Sequence, residues 1–215
     1  MQSIALPAAR GATSMSAVPL RLLIAAIAIA SLALRVWVIL PDIGSVAAAL
    51  WQMLRYFTIL TNLAVAGVMI LSLARRRRPG AAISAAITTW IIVVGAVYHA
   101  LLGQDLPFGT LRYWIDHGYH TAVPVLTVIW WIAAAEKSGL RPIQALHWAL
   151  FPIAYLAYAL ARGLADGVYP YFFINPGMVG WSGVFLWAAG LFALFTGLGL
   201  MLVLAARRLS GVQSA

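Results

Sequence analysis

Thr58, Thr61 and Asn62 lie three and four positions apart in the run Arg55-Tyr56-Phe57-Thr58-Ile59-Leu60-Thr61-Asn62. On a helix that spacing puts them on one face. A second group, Asp116-His117-Gly118-Tyr119-His120-Thr121, sets Asp116 four residues before His120, again on one face. A threonine hydroxyl becomes a nucleophile when an imidazole within hydrogen-bond reach takes its proton. A carboxylate can orient that imidazole and stabilise its charged form. The chemistry these types allow is acyl transfer, which also needs donors aimed at the developing oxyanion. Asn62 is the first candidate donor, with Tyr119, Tyr169 and Tyr171 behind it.

Each group also has a plainer use. Membrane threonines bond back to carbonyls of the preceding turn and help helices pack. Asp116 could serve as a helix N-cap. His117 points a quarter-turn or more from His120, toward loop or solvent. Asn62 is harder to dismiss, because a buried amide needs partners from another helix.

The elements that must position these residues are apolar helices. The chain is 64% hydrophobic and only 9% charged over 215 residues. A soluble domain is about 45–50% apolar and roughly 25% charged, so an integral, multi-pass membrane protein of a single domain is expected. A spanning helix needs about 20 mostly apolar residues. Six stretches qualify, at about 21–40, 56–74, 81–102, 117–135, 143–161 and 181–205. They are continuously apolar and do not alternate, which indicates an all-α bundle of six transmembrane helices and not a barrel. Residues 1–20 and 206–215 are read as tails. The first stretch resembles a signal-peptide core but runs on through Arg35 without a small-residue cleavage site, so it is read as a retained helix.

Ten of the 14 basic residues fall on the side of the termini: Arg10, Arg21, Arg75 to Arg78, Lys137, Arg141, Arg207 and Arg208. That bias places both termini in the cytoplasm. In a bacterial host the membrane would be the plasma (inner) membrane. The net charge of +9 is concentrated in the loop Arg75 to Arg78, a topology signal that gives no reason to expect nucleic acid. Cysteine is absent, which excludes disulfides and thiolate chemistry.

Polar groups inside a bilayer are costly and mark sites. With this topology, four helices bring Arg35, Thr58, His99 and His120 to one stratum near the outer face. Arg35 is expected to be buried near the end of its helix. His147, at the start of the fifth stretch, lies at the other side. Depth and facing thus select His120 with either Thr58 or Thr61. Arg35, Arg55 or Arg112 could grip a lipid carboxylate bidentately. The chemistry needs no metal and no organic cofactor. The partners expected are membrane lipids and an amphiphilic lipid-ester substrate. Two other classes share the pattern. One is haem or quinone electron transfer through His99, His120 and His147. The other is lipid binding or transport without catalysis, although no inverted repeat is evident.

Arg55-Tyr56-Phe57-Thr58 resembles the threonine motif of the androgen-induced membrane proteins. Asp116-His117-Gly118-Tyr119-His120-Thr121 is similar to their Asn-His-x-x-His-Thr motif. Val168-Tyr169-Pro170-Tyr171-Phe172, followed by Pro176-Gly177, is similar to their Val-Tyr-Pro-Phe stretch before a Pro-Gly turn. The resemblance covers about helices two to six, and is nearer to bacterial six-span relatives than to the animal enzymes. It implies a six-span threonine hydrolase that cleaves fatty-acid esters of hydroxy fatty acids. It puts the nucleophile at Thr58 and the catalytic histidine at His120. Asp116 stands where the motif has asparagine, and the family's acidic residue soon after the threonine is replaced around Thr61-Asn62.

Overall fold

The computed structural model describes residues 17–212. Among them the chain is all-helical, with no strand. Among the described residues five helices are long and apolar enough to cross a membrane: Val18–Ile43, Phe57–Ala74, Ala81–Leu102, Ile143–Asp166 and Pro176–Leu209.

Helix α1 (Ala17–Ile43) is longer than the expected 21–40 and runs through Pro41. Proline there removes a donor only in the last turn, where the cost is small. The helix stops at Gly44, whose φ of +83° suits glycine and whose N–H donates to the Leu40 carbonyl at 2.8 Å. The segment after it is not plain loop. Ser45 caps a short helix α2 (Val46–Met53), its hydroxyl accepting from the Ala48 N–H. Helix α3 (Phe57–Ala74) matches the expected 56–74 closely. Helix α4 (Ala81–Val97) continues as a π turn, Tyr98–Leu102.

The fourth expected stretch, 117–135, departs most. It is built from α5 (Leu111–His117), a π turn (Gly118–Ala122) and α6 (Val123–Ala134). It therefore lies outside the five long helices. Pro124 accounts for the interruption. It has no N–H to give the His120 carbonyl four residues back, so the ladder shifts to a wider turn, with Val123 N–H donating to Gly118. Pro152 acts similarly between α7 (Ile143–Trp148) and α8 (Leu150–Asp166). The Trp148 carbonyl that it cannot serve accepts the Trp90 indole N–H at 2.8 Å instead. Helix α9 (Pro176–Val212) kinks at Gly180, whose φ is +68°. Residues 206–212, expected as tail, continue α9, and 17–20 belong to α1. The rest of both expected tails lies outside the described residues.

Helix α3 packs between α1 and α4, and α4 also meets α6 and α9. The main core includes Val65 and Met69 of α3, Ile87 and Ile91 of α4, and Trp130 and Trp131 of α6, all essentially without exposed surface. A second, smaller cluster of Leu32, Met53, Ile59, Ile115 and Tyr119 ties α1, α2, the first turn of α3 and α5 together. It underlies the end of the bundle where the candidate residues converge.

Candidate active site

Thr58 is the second residue of α3, and its hydroxyl lies 3.3 Å from Nε2 of His120. The partner is 62 residues away in sequence, so the pair exists only because α3 packs against the π turn. The other ring nitrogen, Nδ1, faces two acceptors on one residue. The Asp116 carbonyl is 3.0 Å away and a carboxylate oxygen of Asp116 is 3.4 Å away. Two acceptors place the proton of a neutral imidazole on Nδ1, leaving the Nε2 lone pair toward Thr58. That is the tautomer a general base requires.

Tyr98 fixes the ring plane. Its phenol stacks on the imidazole with centroids 3.8 Å apart and planes 8° from parallel. Its hydroxyl also neighbours the Asp116 carboxylate. Glycine at 95 lets α4 come this close: a Cβ there would stand 3.0 Å from the His120 carbonyl and 3.3 Å from Pro124.

Other expected residues serve differently. Asn62 is fully buried, and its amide donates to the Thr58 carbonyl at 2.9 Å and approaches the Tyr119 carbonyl at 3.5 Å. Those acceptors serve its N–H groups and turn them away from the role of oxyanion donor, while no hydrogen-bond partner for its carbonyl oxygen lies among the described residues. The Tyr119 hydroxyl donates to the Ser31 carbonyl at 2.7 Å, and Tyr169 packs its ring against Gly163. Thr61 is fully buried one turn inward, and no hydrogen-bond partner for its hydroxyl lies among the described residues.

His99 does not join the cluster. It is exposed and pairs with the Thr121 hydroxyl at 3.0 Å. It sits in the π turn after α4, where the spacing rule of an α-helix no longer fixes the face. His117 stacks on Tyr113 and its Nδ1 meets the Tyr113 carbonyl, away from Thr58. His147 is exposed on α7.

The arginines divide. Arg55 is buried and committed: its guanidinium forks onto the Asp166 carboxylate, with one contact at 2.8 Å, and also donates to the Val168 carbonyl. It is a structural clamp, which corrects its expected role as a carboxylate anchor. Arg35 is exposed and not buried as expected, because it lines a cavity while its neighbours Val36, Val38 and Ile39 pack on the smaller apolar cluster. Arg112 lines the same cavity.

That cavity, of about 340 Å³, is walled by Arg35, Arg112, Asp116, His120, Tyr56 and Thr58 among others. A second space of about 100 Å³ lies on the other side of Thr58 and is lined by apolar side chains such as Val94, Ile153, Leu191 and Phe195. Thr58, Tyr98, Leu102 and Tyr171 border both. The nucleophile candidate thus stands between a charged vestibule and an apolar recess.

A further set of residues was missed from sequence. Tyr155, Tyr158 and Arg162 of α8 donate to the carbonyls of Arg55, Leu54 and Trp51 at 2.9, 3.2 and 2.9 Å. Arg162 also lies over the Trp51 ring at 4.0 Å. These bonds pin the turn from α2 into α3 and so set where Thr58 stands. Their spacing of three and four on one helix face was the available signal.

The fold and site define a class: an all-helical, strongly apolar bundle with a hydroxyl, an imidazole and a carboxylate aligned at a cavity. No protein-family model, curated protein or solved structure matches the chain.

Proposed function

We propose that this chain is a multi-pass membrane hydrolase that cleaves a lipid ester through Thr58. The observation that carries the reading is the alignment Thr58 Oγ1, His120 Nε2, His120 Nδ1 and Asp116 at the junction of a charged and an apolar space. His120 takes the hydroxyl proton as Thr58 Oγ1 bonds to the ester carbonyl carbon. The carbonyl π electrons move to oxygen. Collapse breaks the bond to the alkoxy oxygen, which leaves as the alcohol with the proton from His120. Water repeats the sequence on the acyl-threonine and releases the fatty acid. The acyl chain suits the apolar recess, and a carboxylate on the alcohol portion suits Arg35 and Arg112 in the vestibule. The motif resemblance to the threonine hydrolases of fatty-acid esters of hydroxy fatty acids agrees with this choice of nucleophile and base.

In this reading the α5, π-turn and α6 path is the sixth crossing beside the five long helices. Six crossings return both termini to one side, and the basic loops make that side cytoplasmic. The site then lies near the outer leaflet, where an amphiphile reaches it laterally.

The test is hydrolysis of a nitrophenyl fatty ester, with covalent labelling by a fluorophosphonate, on wild type beside Thr58→Ala and Thr61→Val. Thr58→Ala is expected to lose both signals. Thr61→Val is expected to keep both, because it removes a buried hydroxyl that lacks a protein partner. Full labelling of Thr58→Ala would overturn the assignment.

A further inference from the structure

Acyl transfer leaves a negative oxygen beside the nucleophile, and removing one donor to such an oxygen typically costs 10²–10³ in turnover. The polar groups around Thr58 can be taken in turn. The Asn62 amide is spent on the Thr58 and Tyr119 carbonyls. The hydroxyls of Tyr119 and Tyr155 donate to the carbonyls of Ser31 and Arg55. Tyr98 stacks on His120, accepts from the Gln104 N–H, and has the Asp116 carboxylate beside its hydroxyl as the acceptor for its own O–H. Of the two tyrosines that border both the vestibule and the recess, Tyr98 and Tyr171, that leaves the Tyr171 hydroxyl.

Tyr171 belongs to the segment between α8 and α9 and borders both the vestibule and the recess beside Thr58. Its ring is wedged edge-on to Tyr56 and stacked on Phe173, with centroids 6.2 and 5.1 Å away. Its hydroxyl neighbours the hydroxyls of Thr58 and Tyr155 and the backbone N–H groups of Phe57 and Thr58. Those two N–H groups open α3, and first-turn donors have no acceptor inside their own helix. They can support the phenol oxygen and strengthen the O–H as a donor. Burial pushes the Tyr171 phenol above its ordinary value, so it stays neutral and keeps its proton.

We infer that Tyr171 is the oxyanion donor of this site: its hydroxyl hydrogen-bonds to the ester carbonyl oxygen as Thr58 attacks, with the first N–H groups of α3 behind it. The inference rests on the hydrolase reading. No proton leaves Tyr171 in the step; the proton of Thr58 goes to His120 and then to the departing alcohol.

The experiment compares 4-nitrophenyl hexanoate with its thionoester, in which a C=S group replaces the carbonyl. Sulfur accepts hydrogen bonds poorly, so an enzyme that donates to the carbonyl prefers the oxygen ester. Tyr171→Phe is expected to slow the oxygen ester about a hundredfold at unchanged KM and to leave the thionoester within a few-fold. Tyr158→Phe, which removes a hydroxyl bonded to the Leu54 carbonyl and away from both spaces, should leave the oxygen-to-sulfur preference as in wild type. The preference is a ratio within one preparation, so partial misfolding, which scales both rates, does not move it. A Tyr171→Phe enzyme with the wild-type ratio overturns the assignment while the hydrolase reading stands. A wild-type protein no faster than Thr58→Ala on either ester overturns both.

Discussion

Replacing Asp116 by asparagine separates two contributions that one residue makes to His120. The backbone carbonyl, 3.0 Å from Nδ1, survives the change and keeps the proton on that nitrogen. The charged carboxylate, 3.4 Å away, does not survive it. At that distance two unit charges attract by about 5 kcal/mol for an effective dielectric of about 20. The proton is only part-way to the imidazole in the transition state, and the two side chains keep 12% and 20% of their surface exposed. The expected loss is therefore about 2–3 kcal/mol, or roughly 30- to 150-fold in kcat. Where a carboxylate alone sets the tautomer, the same change costs about 10⁴. The assay is kcat for a neutral nitrophenyl ester, measured beside His120→Ala. A loss as deep as that of His120→Ala would refute the role given to the backbone carbonyl. A loss below about threefold would refute any part for the carboxylate in stabilising the imidazolium.

Four other substitutions probe the surroundings of the site. Gly95→Ala puts a Cβ 3.0 Å from the His120 carbonyl and 3.3 Å from Pro124, so it should cost about 1–3 kcal/mol of stability and slow turnover by shifting the π turn; thermal melting in detergent and kcat on the same preparation check it. Arg35→Gln and Arg112→Gln should raise KM for an ester bearing a free carboxylate and leave a neutral ester unaffected, whereas Arg55→Gln should lower the melting temperature with no such discrimination, because Arg55 is held by Asp166 and Val168.

Much of the helical layout and half of the site can be read without coordinates, for physical reasons. Continuous apolar runs leave little choice of structure, since backbone groups in lipid must bond within their own segment. The same cost makes each polar residue in such a run conspicuous, which is how Thr58, Asn62, Asp116 and His120 stand out. The four-residue step from Asp116 to His120 holds in the fold, with the backbone carbonyl of Asp116 added to its carboxylate.

What the sequence by itself determined, then, is an apolar all-helical chain and a short set of chemically able residues at one end of it. Tertiary structure decided which of them meet. Thr58 and Thr61 share a helix face in sequence. Only packing shows that Thr58 borders open space at the first turn while Thr61 is sealed one turn deeper. His99 and His120 both lie in π turns, and one turns to Thr121 while the other reaches Thr58. Arg55 resembles Arg35 and Arg112 as a letter, but Asp166, 111 residues away, makes it a clamp. Tyr171 gains its place beside Thr58 from a segment more than a hundred residues downstream. Local periodicity fixes a side chain's direction on its own helix. Which neighbour it finds there depends on how distant helices pack, and that is settled by the whole chain at once.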